Sequence, residues 1–177
     1  LYQKEAIQAL YGCLDQLIAA LQSLAVLPKE MLPGQDPMTF LALADSLTQD
    51  KARFADCEKR TLVDEEAVSA DVQVAVCDTA FASEFLSACA SSMAHLAAFC
   101  DGLVLVSHFD APSQKIALTD ATLHICRLIS NKTSRVTGDL MSVLTTSGSY
   151  TVSAAAKLQE TCQPLFDGYD SLKSTLK

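Results

Sequence analysis

Two aspartates, Asp71 and Asp78, stand out among the residues whose type and spacing could do chemistry. They lie seven positions apart in a segment with a helical pattern, within its apolar arc rather than on its polar face. A carboxylate in an apolar setting costs free energy unless a cation or a donor meets it. The favoured explanation is contact with solvent or with a basic residue of the same chain, for which Lys51, Arg53 and Arg127 are candidates. The alternative makes Asp71 and Asp78 a binding site for a basic partner.

The chain also has seven cysteines at wide and irregular intervals, at positions 13, 57, 77, 89, 100, 126 and 162. An odd number with this spacing is unlike the disulfide framework of a small secreted protein. We therefore expect reduced cysteines that are buried as small apolar side chains. Cys100 and His108 flank a turn expected at Gly102, but a buried thiol beside a surface imidazole is favoured there over a catalytic or metal-binding pair.

The standard motifs for catalysis and cofactor binding are missing from the sequence. Neither a GxxxxGK(S/T) nor a GxGxxG loop is present, which argues against nucleotide binding. There is no HExxH or CxxC pair, and no glutamate precedes a histidine by three residues, so zinc and bundle-type metal sites are not expected. The net charge of −8 opposes binding to the phosphate backbone of nucleic acids. We predict no catalytic residue, no metal and no cofactor.

These side chains must be positioned by helices, because apolar residues recur at alternating steps of three and four in five segments. A loop with three prolines separates the first two segments, and Asp36-Pro37 has the residue types of a helix N-cap and first turn. Asp50 interrupts the second apolar stripe, and the second helix is expected to end near Arg60. The two stripes consist of Ile7, Leu10, Leu14, Leu17, Leu21 and Leu24, and of Phe40, Leu43, Leu47, Phe54 and Cys57.

The third segment predicts one long helix from Asp64 to about Cys100, with Asp101-Gly102 as its stop, although Leu103 to Val106 could extend the pattern. The acidic residues 64–66 would then lie at the positive end of its dipole. Its apolar arc is wide, so we expect this helix to lie centrally and to have more than one neighbour. The arc includes Phe81, Phe85, Leu86, Cys89, Met93 and Leu96.

A fourth helix is predicted from Leu118 to about Leu144, and its stripe includes Ile125, Ile129, Val136 and Val143. The fifth segment has its stripe from Ala155 to Leu176 but contains Pro164, for which we expect a kink or a split into two helices. The sequence therefore predicts an all-α fold, in which residues 1–177 form a single domain. Its architecture is an up-and-down bundle of four to five long amphipathic helices, with the third and fourth forming the longest hairpin.

The function that these features favour is that of a non-enzymatic adaptor or scaffold domain, which binds an amphipathic segment of a protein partner. The long Ala- and Ser-rich helices resemble in composition those of adaptor bundles of the talin and vinculin type, a likeness that carries over no residue. The alternative is a carrier of a lipid or other small apolar ligand in a cavity between helices. A helical enzyme that uses Asp71 and Asp78 ranks third.

The most apolar window, from Thr79 to Cys100, is long enough to span a membrane, but it contains Glu84 and His95. A buried bundle helix explains it better, so we expect no transmembrane segment. We expect a cytoplasmic location. Secretion stays open as an alternative because of a glycosylation sequon at Asn131.

Overall fold

The computed structural model describes residues 2–28, 36–67, 79–109, 119–147 and 154–176. Within these ranges the chain forms five long helices and no strand, so the predicted all-α bundle is confirmed. The helices are α1 (Tyr2–Ala25), α2 (Pro37–Ala67), α3 (Thr79–Phe109), α4 (Asp120–Ser147) and α5 (Ala154–Leu176).

Consecutive helices run antiparallel. The hydroxyl of Tyr11 in α1 donates to Glu58 of α2 at 3.1 Å, whereas Asp15, further along α1, pairs with Lys51, which comes earlier in α2. The contacts between phenylalanine rings of α2 and α3 show the same reversed order along the two helices. The chain therefore runs up and down the bundle, and α3 and α4 form its most extensive hairpin, as predicted.

The central helix is α3, because it packs against α2, α4 and α5. By length and composition it is also the one described helix that could span a membrane. In this fold it lies between three other helices and supplies much of the core, which confirms its predicted central position. Its buried residues are Phe81, Ala82, Phe85, Leu86, Ala88, Cys89, Ser92, Met93, Leu96 and Cys100.

The predicted start and stripe of α2 are confirmed. Oδ1 of Asp36 accepts a hydrogen bond from the backbone N–H of Met38 at 3.1 Å, which is the contact of a helix N-cap. All five stripe residues of α2 are buried, as are four of the six in α1. Ile125 in the α4 stripe departs from the pattern and is 55% exposed, because the buried face of α4 at this level passes through its neighbour Cys126, which is 5% exposed.

Two predicted helix boundaries are wrong. α2 continues past Arg60 to Ala67, so the acidic residues 64–66 lie at its C-terminal end and not at the start of a third helix. α3 continues through Gly102 to Phe109. No Gly or Pro lies between Pro37 and Gly102 to stop a helix, and a single helical glycine costs only about 1 kcal/mol. Residues 68–78 lie outside the described residues.

The predicted split of the last helix is also wrong, because α5 continues through Pro164 as one helix. A proline inside a helix costs about 3 kcal/mol. The turns that follow bury Leu165, Tyr169 and Leu172, and each fully buried large side chain contributes about 1.5–3 kcal/mol. Their combined burial therefore outweighs the cost of the proline.

Gly168 is a point of close approach between α5 and α3. A Cβ atom at this position would overlap with Cδ2 of Leu86 and would lie 3.9 Å from Cγ1 of Val136 in α4. Both neighbours are fully buried, so neither has free space to move into. The absence of a side chain at Gly168 is therefore what lets α5 lie so close to α3.

We expect Gly168→Ala to lower the free energy of unfolding by about 1–3 kcal/mol, the usual cost of overpacking a filled core. The matched control is Gly138→Ala in α4, where an added Cβ meets nothing within 4 Å. There alanine should raise the free energy of unfolding by up to about 1 kcal/mol, because it is the better helix former. Urea denaturation followed by circular dichroism measures both changes. Equal gains in the two variants would contradict the close packing at Gly168.

Candidate functional site

A polar cluster lies at the interface between α2 and α3, and its centre is Asp50. Only 2% of this residue's surface is exposed, although its side chain is a carboxylate. The helical spacing that buries Leu47 and Phe54 turns Asp50 inward as well. The sequence pattern marks Asp50 only as an interruption of the stripe and does not predict it as a site residue. A carboxylate at a position of the apolar stripe is nevertheless a signal in the sequence, because it predicts a charged side chain that is buried.

Polar groups from both helices surround this carboxylate. The buried hydroxyl of Ser92 in α3 donates to Oδ2 of Asp50 at 3.1 Å. Nε2 of His95 lies 3.7 Å from the same oxygen, and Nη1 of Arg53 lies 3.7 Å from Oδ1. Arg53 in turn donates from Nη2 to the hydroxyl of Ser87 in α3 at 2.8 Å. The charge of Asp50 is thus met by one hydrogen bond and by two basic side chains.

The cluster has a buried side and an open side. The side chain of Asp50 is 3% exposed, whereas those of Arg53 and His95 are 46% and 40% exposed. The two basic groups therefore lie between the carboxylate and the solvent. A proton or a small anion can reach them from outside without passing through the core.

The arrangement is not a nucleophilic triad. The hydroxyl of Ser91 lies 3.4 Å from Nε2 of His95, which is also the nitrogen that faces Asp50. In a triad the carboxylate and the hydroxyl face opposite ring nitrogens, because one orients the ring while the other gives up its proton. The cluster instead places two basic side chains beside a buried carboxylate.

The two residues predicted as a binding site, Asp71 and Asp78, lie outside the described residues. Two of the three basic residues considered as their partners are bound to other aspartates, Arg53 to Asp50 at 3.7 Å and Lys51 to Asp15 at 2.6 Å. The third, Arg127, is exposed on α4.

Cys100 and His108 do not form a pair, because α3 continues through both and places them about two turns apart. Nδ1 of His108 instead lies 2.7 Å from the backbone carbonyl of Val104. Burial raises the pKa of Cys100, and the neighbouring Cys126 of α4 raises it further. In the described part of the chain, no group of three or more His, Cys, Asp or Glu side chains is placed to hold a metal ion.

A small apolar cavity lies between α1, α3 and α5 and has a volume of about 30 Å³. A site for a lipid or another small apolar ligand needs roughly 300 Å³ or more. The predicted carrier function therefore finds no support in this cavity. It is lined by Ala6, Ile7, Phe81, Phe85, Leu165, Phe166 and Tyr169.

A second enclosed carboxylate lies where α4 faces α5. Oδ2 of Asp139 is buried and has no hydrogen-bond partner. Burial raises the pKa of Asp139, and the carboxylate of Asp167 in α5 raises it further, whereas Arg135 opposes the rise. Because the folded state then binds this proton more tightly than the unfolded state does, ionised Asp139 destabilises the fold.

No family model matches the chain. Proteins named argininosuccinate lyase match it along its whole length. The one from Pelotomaculum thermopropionicum is 31% identical over 223 residues, which cover 99% of this chain and 48% of that protein. Those from Thermoanaerobacter sp. strain X514 and Desulforamulus reducens are 28% and 29% identical, with 100% and 99% of this chain and 50% and 48% of theirs covered. The chain spans about half the length of the curated relatives it matches.

These relatives overturn the predicted function. A chain that matches lyases along its whole length points to an enzyme, so the adaptor, scaffold and protein-binding predictions are wrong, and so is the prediction of no enzymatic activity. The alternative of a ligand carrier is wrong for the same reason. The first alignment runs over 223 positions and the chain has 177 residues, so at least 46 of those positions have no counterpart in this chain.

We expect Asp50→Asn to lower the free energy of unfolding by about 1.5–3 kcal/mol, because a hydrogen bond to a charged acceptor and a buried counter-ion are lost. The matched control is Asp56→Asn in the same helix, where the aspartate pairs with Lys59 at 3.2 Å but is 71% exposed. The control substitution should lower the free energy of unfolding by less than about 0.5 kcal/mol. Urea denaturation measures both, and equal losses would show that the cluster does not stabilise the α2–α3 interface.

We expect Asp139→Asn to raise the free energy of unfolding at any pH above the raised pKa of Asp139, because the amide carries no charge to bury. As the pH falls through that pKa, the wild-type side chain takes up its proton and the difference between the two proteins shrinks. Urea midpoints measured across the acidic and neutral range follow this difference. A gain that does not change with pH would rule out the charge as its source.

Proposed function

We propose that this chain is the helical-bundle part of a lyase related to argininosuccinate lyase, and that the whole protein cleaves argininosuccinate. The observation that carries the proposal is the extent of the match, since proteins of this name align at 27–31% identity over 99–100% of the chain in most cases. All five helices lie within the matched region. A match of this extent is not the product of one shared motif.

Cleavage of argininosuccinate by a lyase is an elimination. The bond between a guanidino nitrogen and a carbon of the succinate unit breaks while the neighbouring carbon loses a proton, and a carbon–carbon double bond forms. The reaction needs a base near that carbon, an acid near the departing nitrogen, and donors for the carboxylates. These groups act only when they are held in a fixed geometry.

In this proposal the described bundle contributes the rigid frame. The cavity between α1, α3 and α5 has a volume of only about 30 Å³, which is typical of closely packed helices. The cluster at Asp50 fixes the position of α2 relative to α3 through Ser92 and His95.

A cytoplasmic location is part of the same proposal. The five cysteines whose side chains the structure describes are free thiols, and four of them are buried. Buried thiols are typical of proteins that fold in a reducing compartment. The cysteines therefore support this location.

A chimera tests the proposal. In the Pelotomaculum thermopropionicum enzyme, the aligned stretch is replaced by this chain, and the product is compared with the parent. Light scattering after gel filtration measures the state of assembly, and ultraviolet absorbance of the new double bond measures cleavage. A matched control carries an unrelated five-helix bundle of the same length. We expect the chimera to assemble like its parent and to cleave argininosuccinate, and the control to do neither.

Each of the other outcomes is informative. A chimera that assembles like its parent but does not cleave argininosuccinate would overturn the proposed activity, while the bundle would still stand as the equivalent part of a lyase. A chimera that fails to assemble, as the control does, would overturn both parts of the proposal. The cleavage rate of the isolated chain gives the baseline for these measurements.

A further inference from the structure

Two cysteines on facing helices, Cys100 of α3 and Cys126 of α4, lie against each other. The hydroxyl of Thr133 in α4 donates to the backbone carbonyl of Met93 in α3 at 3.1 Å. Because the two helices are antiparallel, Cys100 and Cys126, each seven residues from that contact, face each other, and they are only 6% and 5% exposed. We propose that this thiol pair is redox-sensitive, and that an oxidant of the peroxide class converts it to a disulfide that joins α3 to α4.

The thiol pair is buried in the folded protein, so a small oxidant reaches it only when this end of the hairpin opens. Cys100 lies in the last third of α3 and Cys126 in the second turn of α4, at the end of the bundle where this hairpin closes. By contrast, Cys89 lies in the middle of α3 and is completely buried. Brief opening of helix ends needs far less free energy than opening of the core. Three of the four residues that flank the pair in sequence are exposed, namely Asp101, Ile125 and Arg127.

The buried environment of the two thiols sets the rate at which they are oxidised. Burial raises the pKa of the Cys100 thiol to about 12, and the neighbouring Cys126 contributes to the rise. A thiol reacts as its thiolate, so oxidation is slow at neutral pH and becomes faster as the pH rises. A thiol with a high pKa is also a poor leaving group, so the disulfide resists reduction once it has formed.

The reaction balances with hydrogen peroxide as the oxidant. One sulfur attacks a peroxide oxygen, the O–O bond breaks, and the released hydroxide takes up a proton to become water, which leaves a sulfenic acid. The second sulfur then attacks the first, the S–O bond breaks, and a second water departs with the remaining proton. Overall, the two thiols lose two protons and two electrons, and one peroxide becomes two waters.

Peptide mapping tests the proposal. The folded chain is treated with hydrogen peroxide at low protein concentration, the remaining thiols are alkylated after unfolding, and the protein is digested with trypsin without reduction. We expect residues 61–115 to be linked to residues 116–127, with a mass two hydrogens below their sum. The first peptide also contains Cys77 and Cys89. Cys100→Ala should therefore abolish the link, whereas the control Cys77→Ala should leave it in place.

Cys13 serves as an internal measure of exposure to the oxidant, because it is the described cysteine that is only partly buried. If Cys13 is oxidised while Cys100 and Cys126 are both recovered as alkylated thiols, the proposal is wrong. A second readout is stability, since the linked protein should unfold at a higher urea concentration than the same protein after reduction. Cys126→Ala should show no such shift, and a shift of equal size in that variant would also overturn the proposal.

Discussion

The wide apolar surface of α3 is the constraint on which the rest of the architecture depends. Its buried side chains extend over an arc that one neighbouring helix cannot cover. Each large apolar side chain left in water would lose about 1.5–3 kcal/mol of stabilising free energy. For this reason α2, α4 and α5 all pack against α3. The first helix then joins the bundle chiefly through α2. Asp50 is tolerated beside this apolar surface because Ser92 and His95, which face it, come from α3 itself.

The spacing of apolar residues was enough to predict the fold class and the number of helices, because a three-four period is what burial on one side of a helix requires. It was not enough to predict where helices end. Gly102 and Pro164 are local signals worth about 1–3 kcal/mol, and both lie inside helices in the folded chain. Packing of the residues that follow them outweighs the local preference. That balance depends on neighbours that are distant in sequence.

The candidate site was predictable only in part, for a related reason. That a carboxylate interrupts the stripe of α2 is visible in the sequence, and so is the arginine three residues further on. Which residues of α3 stand across from Asp50 depends on how far the two helices are shifted along each other, and no local pattern fixes that shift. The likeness to lyases is similarly spread over the whole chain at 27–31% identity. A search for short catalytic motifs therefore could not find it.

The order of the helices has a consequence for how the protein folds. Each helix packs mainly on the next one along the chain, and the contact between α3 and α5 is the largest exception. Such local topology gives a low contact order, which is typical of rapid folding. During synthesis, one antiparallel hairpin after another can form as the chain leaves the ribosome. Of the five helices, α5 is synthesised after the others, and its close approach to α3 at Gly168 adds a contact between helices that are not neighbours along the chain.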